Sequence, residues 1–271
     1  MEFKHFSRKY LREELLPSAF CAGCGLGTVT NCFLKAVEEL GHEDLKEFVF
    51  CTGIGCSAWI PSPYFKADSI HATHGRSVAV ATGVKLVRPE LHVVVFGGDG
   101  DLMGIGLNHT VQAARRNLEI TVILVNNMVY AMTRGQVAPT TPVGVKTSTT
   151  PYGNVEYPIN AAELMVAAGA SYVARWTTVH PVRLKNSIKK ALTTEGFAFI
   201  EVVSQCPTYY GRRVGFENAV DMIKWLRKNS VSIKRKKPGK IGVGELVVTR
   251  KPGLVALIQK VRMETVKGEE E

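Results

Sequence analysis

Two sets of residues in this chain have the types and spacing to do chemistry. The first is a carboxylate and an amide. Residues 92–127 read HVVVFGGDGDLMGIGLNHTVQAARRNLEITVILVNN. An apolar strand enters the turn Gly98-Asp99-Gly100-Asp101, a helix-like segment follows, and a second apolar strand ends in Asn126-Asn127. This is the layout of a βαβ unit that holds a metal-bound diphosphate. If the strands are parallel neighbours, their ends lie about 5 Å apart. The Asp99 carboxylate and the Asn127 side-chain carbonyl can then converge on one hard cation. Mg²⁺ takes few protein oxygens and completes its shell from phosphate and water, which suits so sparse a set. Gly-Asp-Gly alone is an ordinary turn, since glycine supplies positive φ and Asp bonds its own backbone. The flanking strands and the closing amides are what point to a site.

The second set is four cysteines. Cys21 and Cys24 precede the first helix, Cys56 follows a strand at 48–51, and Cys206 follows a strand at 197–203. Asp99 and Asn127 follow strands too. In a parallel sheet all carboxyl ends share one edge, where open α/β sheets bind ligands. Thiols and diphosphate motif are therefore expected on one face. Four thiolates could hold zinc or a [4Fe–4S] cluster, and one close pair completed by two distant singles leaves both open. Cys32 and Cys51, on an apolar helical face and in an apolar strand, read as small hydrophobes.

The elements that must position these groups are legible in outline. Residues 26–40, 76–87, 161–168 and 181–194 read as helices, and 48–51, 171–174 and 197–203 as strands beside the central βαβ unit. Alternating strands and helices predict an α/β fold with a doubly wound, mostly parallel sheet. The stretch from Met128 to Tyr157, dense in Thr, Pro and Gly, is too long for a plain connection and is expected to be functional or disordered. The expected domain spans 1–228, leaving 229–271 as a basic C-terminal arm at a subunit interface.

Composition narrows the classes. The chain has 271 residues, net charge +10 and six cysteines. No apolar run approaches 18 residues, so no membrane span is expected. The charged N-terminus, MEFKHFSRKYLREELL, lacks an apolar signal core and predicts a cytoplasmic protein. There, cysteines are metal or redox ligands more often than disulfides. The excess positive charge gathers between Arg212 and Lys251, including Lys234-Arg235-Lys236-Lys237. Few aromatics are interleaved, so nucleic acid is not an expected partner. No Gly-x-Gly-x-x-Gly with a following acid appears, which argues against a nicotinamide dehydrogenase.

The Gly98–Asn127 spacing resembles the thiamine-diphosphate motif, which opens with Gly-Asp-Gly and closes with Asn-Asn. The motif implies Mg²⁺ ligands at Asp99, Asn127 and the backbone carbonyl of Val129. Taken with CAGCG (21–25), TGIGCS (52–57), HATHGRSVAVATGVKL (71–86), ARRNLEITVILVNNMVYAMTRGQVAPTTP (114–142) and SQCPTY (204–209), the chain resembles the β subunit of the 2-oxoacid:ferredoxin oxidoreductases, over about residues 15–230. The resemblance implies a [4Fe–4S] cluster on Cys21, Cys24, Cys56 and Cys206. It implies a cofactor loop of Ile54, Gly55, Cys56 and Ser57, with Gly100 and Asp101 at the diphosphate and Ala131 and Met132 beyond the Mg²⁺ loop. His74, in Thr73-His74-Gly75-Arg76, is expected near the reacting carbon, although a lone His is as often structural.

The activity implied is coenzyme A-dependent oxidative decarboxylation of a 2-oxoacid, with electrons leaving through the cluster to ferredoxin. Many relatives read Tyr-Gly-Met-Thr-Gly-Gly-Gln where this chain has Tyr130-Ala131-Met132-Thr133-Arg134-Gly135-Gln136. Some that accept 2-oxoglutarate carry Lys at the Arg134 position. A guanidinium there can grip a distal carboxylate in bidentate fashion, so 2-oxoglutarate is the expected substrate, with a coenzyme A phosphate or a contact to another subunit as the other readings of Arg134. Pyruvate or a branched-chain 2-oxoacid, a cluster-free decarboxylase or synthase, and a non-catalytic iron–sulfur module are the alternatives. The glutamate that helps activate thiamine in this family belongs to a partner α subunit. The chain is therefore expected to act only in a complex, which can also include γ and ferredoxin-like δ subunits.

Overall fold

The computed structural model describes residues 5–235 and 237–269. Lys236 of the basic run, the first four residues and the last two of the acidic tail lie outside them. The elements run α1 (Leu26–Glu39), β1 (Phe48–Thr52), β2 (Asp68–His71), α2 (Ser77–Val87), β3 (His92–Gly98), α3 (Leu107–Arg115) and β4 (Thr121–Asn126). There follow a two-residue-per-strand hairpin, β5 (Val129–Tyr130) and β6 (Gln136–Val137), then α4 (Ala161–Ala167), β7 (Tyr172–Thr177), α5 (Pro181–Leu192) and β8 (Ala198–Val203). The chain closes with α6 (Ala219–Asn229), β9 (Ser230–Ser232), β10 (Ile241–Val248) and α7 (Leu254–Glu269).

The sheet order is β2-β1-β3-β4-β8-β7-β10-β9. The first six strands are mutually parallel, while β10 pairs antiparallel with β7 and carries β9 along with it. The expected doubly wound α/β architecture is thus the one observed. Its central strands are apolar along their whole length because helices cover both faces; every residue of β1, β4 and β8 is buried. On one face Val29, Phe33 and Val37 of α1, spaced to share a helical stripe, pack with Leu184 and Ile188 of α5 over Phe50, Phe96 and Ile200. On the other, Val78 of α2, Ala113 of α3, Met165 of α4 and Val255 of α7 cover Val95, Leu124 and Phe199.

Three features differ from the sequence reading. The segment after Asp99 does not start as an α-helix: Gly100–Ile105 forms a π-helical turn that breaks at Gly104 before α3 begins. The edge strand β2 is exposed at every residue and so shows no apolar periodicity. The expected arm from 229 onward contributes β9 and β10 to the sheet. Glycines 242 and 244 dilute the apolar pattern of β10, but tertiary pairing overrides that weak propensity. Tyr172 in β7 fixes it by donating its hydroxyl to Glu245 Oε1 at 3.0 Å.

Candidate functional site

The carboxyl ends of β1, β3, β4 and β8 are adjacent in the sheet, and each carries part of the site. β3 and β4 are parallel neighbours, with Gly98 opposite Val125, so the acidic turn and the Asn126-Asn127 end meet as expected. Asp99, Gly100, Asp101, Asn127, Val129, Ile54, Gly55, Cys56, Ser57, His74, Ala131 and Met132 all line one cavity of about 240 Å³. Met128 turns the chain between Asn127 and Val129 with a φ of +66°, a conformation costly for a non-glycine residue and typical of functional loops.

Asp99 is buried, 1% exposed. Burial pushes its carboxyl up to about 6, against hydrogen bonds that favour the anion, chiefly from Thr140. Thr140 donates to Asp99 Oδ2 at 2.5 Å and lies 3.0 Å from Asn126 Oδ1. Nothing in the local sequence singled out Thr140 beyond its place in the Thr- and Pro-rich loop. A further buried network backs it. Asn126 Nδ2 donates to Glu201 Oε1 at 2.8 Å, and Arg175 Nε donates to Glu201 Oε2 at 2.7 Å. The Arg175–Glu201 ion pair therefore holds the amide of Asn126, whose carbonyl oxygen is left to face Thr140.

Asp101 clamps the loops around the cavity. Its Oδ1 accepts from the N–H of Gly75 at 2.7 Å and of Ile54 at 3.2 Å. His74 Nδ1 stands 2.8 Å from the same oxygen, at ion-pair distance but out of hydrogen-bonding alignment. A Cβ on Gly53 would lie 2.3 Å from the Asp101 carboxylate, so glycine there permits the close approach. Burial raises the Asp101 carboxyl, and the two backbone donors pull it back. Asp101 Oδ2 and Ser57 Oγ are buried without a hydrogen-bond partner among the described residues. An orphaned hydroxyl on the wall of a cavity can donate to a phosphate oxygen, so Ser57, with the Asp99 and Asn127 oxygens in the same lining, fits a Mg²⁺-bound diphosphate.

The four cysteines meet in a second cavity, of about 190 Å³, lined by Cys21, Cys24, Cys56 and Cys206 together with Phe20 and Trp59. Gln205 ties two of the loops: its Nε2 donates to Gly23 O at 3.2 Å, and its own carbonyl accepts from Gly25 N at 3.2 Å. Burial raises Cys24 to about 11 and Cys56 to about 12, with the neighbouring thiols adding to both. Thiols so perturbed are poor nucleophiles but become thiolates when a metal takes the proton's place. Tetrahedral zinc would need sulfurs about 3.8 Å apart. Among the described residues no three of these sulfurs lie within 4.8 Å of one another, a spread that suits a larger cluster better. Cys32 and Cys51 are buried in the two cores, as expected of small hydrophobes.

The two cavities share a wall made of Leu26, Cys56, Val125, Asn127, Ala131 and Met132. Arg134 is placed differently. It is exposed at the tip of the β5–β6 hairpin with a φ of +81°, and it is not among the residues lining either cavity. Tyr130 and Thr133 line the first cavity and were missed. Tyr130 packs edge-on to His74, ring centroids 6.0 Å apart.

Residues 53–202 match the family model of the C-terminal TPP-binding domain of thiamine pyrophosphate enzymes. Over 272 aligned residues the chain is 51% identical to the 2-oxoglutarate synthase subunit KorB of Methanocaldococcus jannaschii, covering 98% of this chain and all of that one. It is 50% identical to the subunit of the same name from Methanothermobacter marburgensis, over 91% of this chain and 88% of the other. Among solved structures it resembles a chain of the 2-oxoglutarate:ferredoxin oxidoreductase of Magnetococcus marinus, whose structure has 2-oxoglutarate, coenzyme A and succinyl-CoA bound. The TM-score is 0.86, with 35% identity over 98% of this chain and 92% of that one.

Proposed function

This chain belongs to the β subunits of the 2-oxoglutarate synthases and 2-oxoacid:ferredoxin oxidoreductases, and we propose that its complex oxidises 2-oxoglutarate to succinyl-CoA. In that reaction carbon dioxide is released, coenzyme A takes the acyl group, and ferredoxin takes two electrons; a [4Fe–4S] cluster held by the four cysteines would supply the one-electron relay. The observation that carries the reading is the wall shared by the diphosphate-type cavity and the four-thiol cavity. A cluster held by the four thiols would place an electron acceptor beside the diphosphate-type cavity, which distinguishes an oxidoreductase from a thiamine-dependent decarboxylase or synthase.

Thiamine diphosphate, when bound, supplies the carbon nucleophile and the electron sink. The chain supplies binding and orientation. Asp99, Asn127 and the Val129 carbonyl are the proposed Mg²⁺ ligands, an all-oxygen set as that ion prefers. Gly100, Asp101 and the loop from Ile54 to Ser57 hold the diphosphate. His74, held beside Asp101 Oδ1, is the proposed group near the reacting carbon. Cys21, Cys24, Cys56 and Cys206 hold the cluster. Arg134, at the exposed hairpin tip, grips the distal carboxylate once substrate and partner are in place. The pyrimidine-side glutamate comes from an α subunit, with γ and ferredoxin-like δ subunits as further partners. A cytoplasmic location suits thiols kept for a cluster; no described helix is long and apolar enough to cross a membrane.

The test uses the complex purified without oxygen and assayed with coenzyme A and a viologen acceptor. Cys206→Ser is expected to lose iron and viologen reduction while Mg²⁺-dependent thiamine diphosphate binding persists. Full iron and full turnover in that variant would refute the cluster assignment. Arg134→Gly is expected to lower the 2-oxoglutarate/pyruvate ratio of kcat/KM by roughly tenfold or more; an unchanged ratio removes Arg134 from substrate selection.

A further inference from the structure

At the opposite edge of the sheet, three segments bring possible metal ligands together. His42 follows α1, Glu47 immediately precedes β1, and His92 opens β3. One ligand atom from each lies within 4.8 Å of the other two. β3 is seven residues long, which puts its first residue roughly 20 Å from the Asp99 end. This cluster is therefore separate from the site described above and independent of the function proposed for it.

The three side chains are held in place. His42 Nδ1 is 3.2 Å from Glu47 Oε2. The His42 carbonyl accepts from the buried Tyr10 hydroxyl at 2.6 Å, and the His92 N–H donates to the Glu47 carbonyl at 2.8 Å. The His92 ring stacks on Phe48, with centroids 4.8 Å apart and planes at 24°. His42 meets Phe48 and His92 edge-on, at 5.0 and 5.2 Å. One phenyl ring thus orients both imidazoles, so little rotamer freedom remains to be lost on binding. Lys85 is the cation beside this cluster. The Lys85 ammonium is itself engaged by the carbonyls of Pro89 and Leu91.

We propose that His42, Glu47 and His92 form a second metal site, for a borderline divalent cation of the Zn²⁺ class. Two imidazoles and one carboxylate select such ions over Mg²⁺ or Ca²⁺, which take oxygen ligands. Bond lengths of about 2.0–2.2 Å in a tetrahedron require ligand atoms about 3.4 Å apart. The His42–Glu47 contact, at 3.2 Å, already meets that spacing, and the His92 ligand atom lies within 4.8 Å of both. The outer side of Glu47, 71% exposed, leaves the fourth position to water. The ion ties the α1–β1 connection to the start of β3, which makes its role structural.

The experiment takes the assembled complex, incubates it with Zn²⁺ under excess Mg²⁺, desalts it, and counts zinc and iron in the same samples. Wild type is expected to retain one zinc per β subunit that a His42→Asn/His92→Asn variant lacks, with iron content and turnover unchanged. Glu47→Gln, at an exposed position that does not threaten folding, is expected to weaken zinc retention about tenfold or more. Zinc is also expected to raise the unfolding temperature of wild type and not of Glu47→Gln. Equal zinc retention and equal thermal shifts in wild type and Glu47→Gln would overturn the site.

Discussion

Asp99 pays for its position in protonation equilibrium. Its carboxyl moves from 3.8 to about 6 because burial disfavours the anion more than Thr140 and the backbone favour it. A carboxyl whose folded pKa is raised binds its proton more tightly folded than unfolded. The contribution to stability is present near pH 4 and is lost as pH rises through about 6. Two pKa steps correspond to about 3 kcal/mol. In protein stripped of Mg²⁺, Asp99→Asn is therefore expected to be more stable than wild type above pH 6, by up to about 3 kcal/mol, and equal to it near pH 4. Denaturant midpoints across that range check this; parallel curves for the two proteins would show that Asp99 ionisation carries no folding cost. The same residue shows how legibility ends. Asp99 and Asn127 stand out from strand, turn and amide order, whereas Thr140, 41 residues downstream, carries no local mark of its role.

The turn after Asp99 is shaped by what packs on it. A Cβ on Gly100 would lie 2.1 Å from Tyr130 Cε1, and one on Gly104 would lie 2.7 Å from the Tyr130 hydroxyl. The two glycines let the Tyr130 ring lie against the π-helical turn, where its hydroxyl donates to the Gly100 carbonyl at 3.3 Å. Gly100→Ala is expected to cost about 1–3 kcal/mol as overpacking, to displace Tyr130 into the cavity, and to weaken Mg²⁺-dependent thiamine diphosphate binding at least tenfold. Adding Tyr130→Ala should restore part of that binding. Titration of the cofactor against the single and double variants checks it, and wild-type affinity in Gly100→Ala would exclude a shaping role for the contact. Periodicity could announce a helix here but not its register, because π and α turns share nearly the same apolar spacing over so few residues. β10 was similarly obscured, since a strand carrying two glycines is recognised by its partner β7 and not by its own pattern.

The molecule as a whole leaves several large apolar side chains facing water. Tyr152, Val155 and Tyr157 are 99%, 85% and 92% exposed, on the loop that also carries Thr140. Ile54 and Met132, at the cavity, are each 42% exposed. Exposed apolar groups of this size mark an interaction surface; Tyr157 shares a cavity lining with Tyr130 of the site, and a β subunit has other subunits to meet. Tyr152→Asp with Tyr157→Asp is expected to leave the isolated chain folded and its iron content intact while abolishing co-purification with the α subunit. Circular dichroism, iron analysis and size exclusion of the co-expressed proteins check it. Co-purification at the wild-type level would move the interface elsewhere.

By itself the sequence determined the residue chemistry and the ends of strands that carry it. Asp99, Asn127 and the four cysteines lie beside apolar runs whose type is set by local burial demands, and the rule that parallel strands share a carboxyl edge does the rest. The tertiary structure decided which of those ends are neighbours, and so that six residues serve both cavities at once. It decided that Arg175 and Glu201 stand behind Asn126, that Asp101 clamps loops as well as facing the cavity, and that Arg134 lies outside the lining. It also folded the basic C-terminal stretch back as an antiparallel edge. Each of these depends on contacts between segments far apart in the chain, which strand order fixes through core packing and no local pattern encodes.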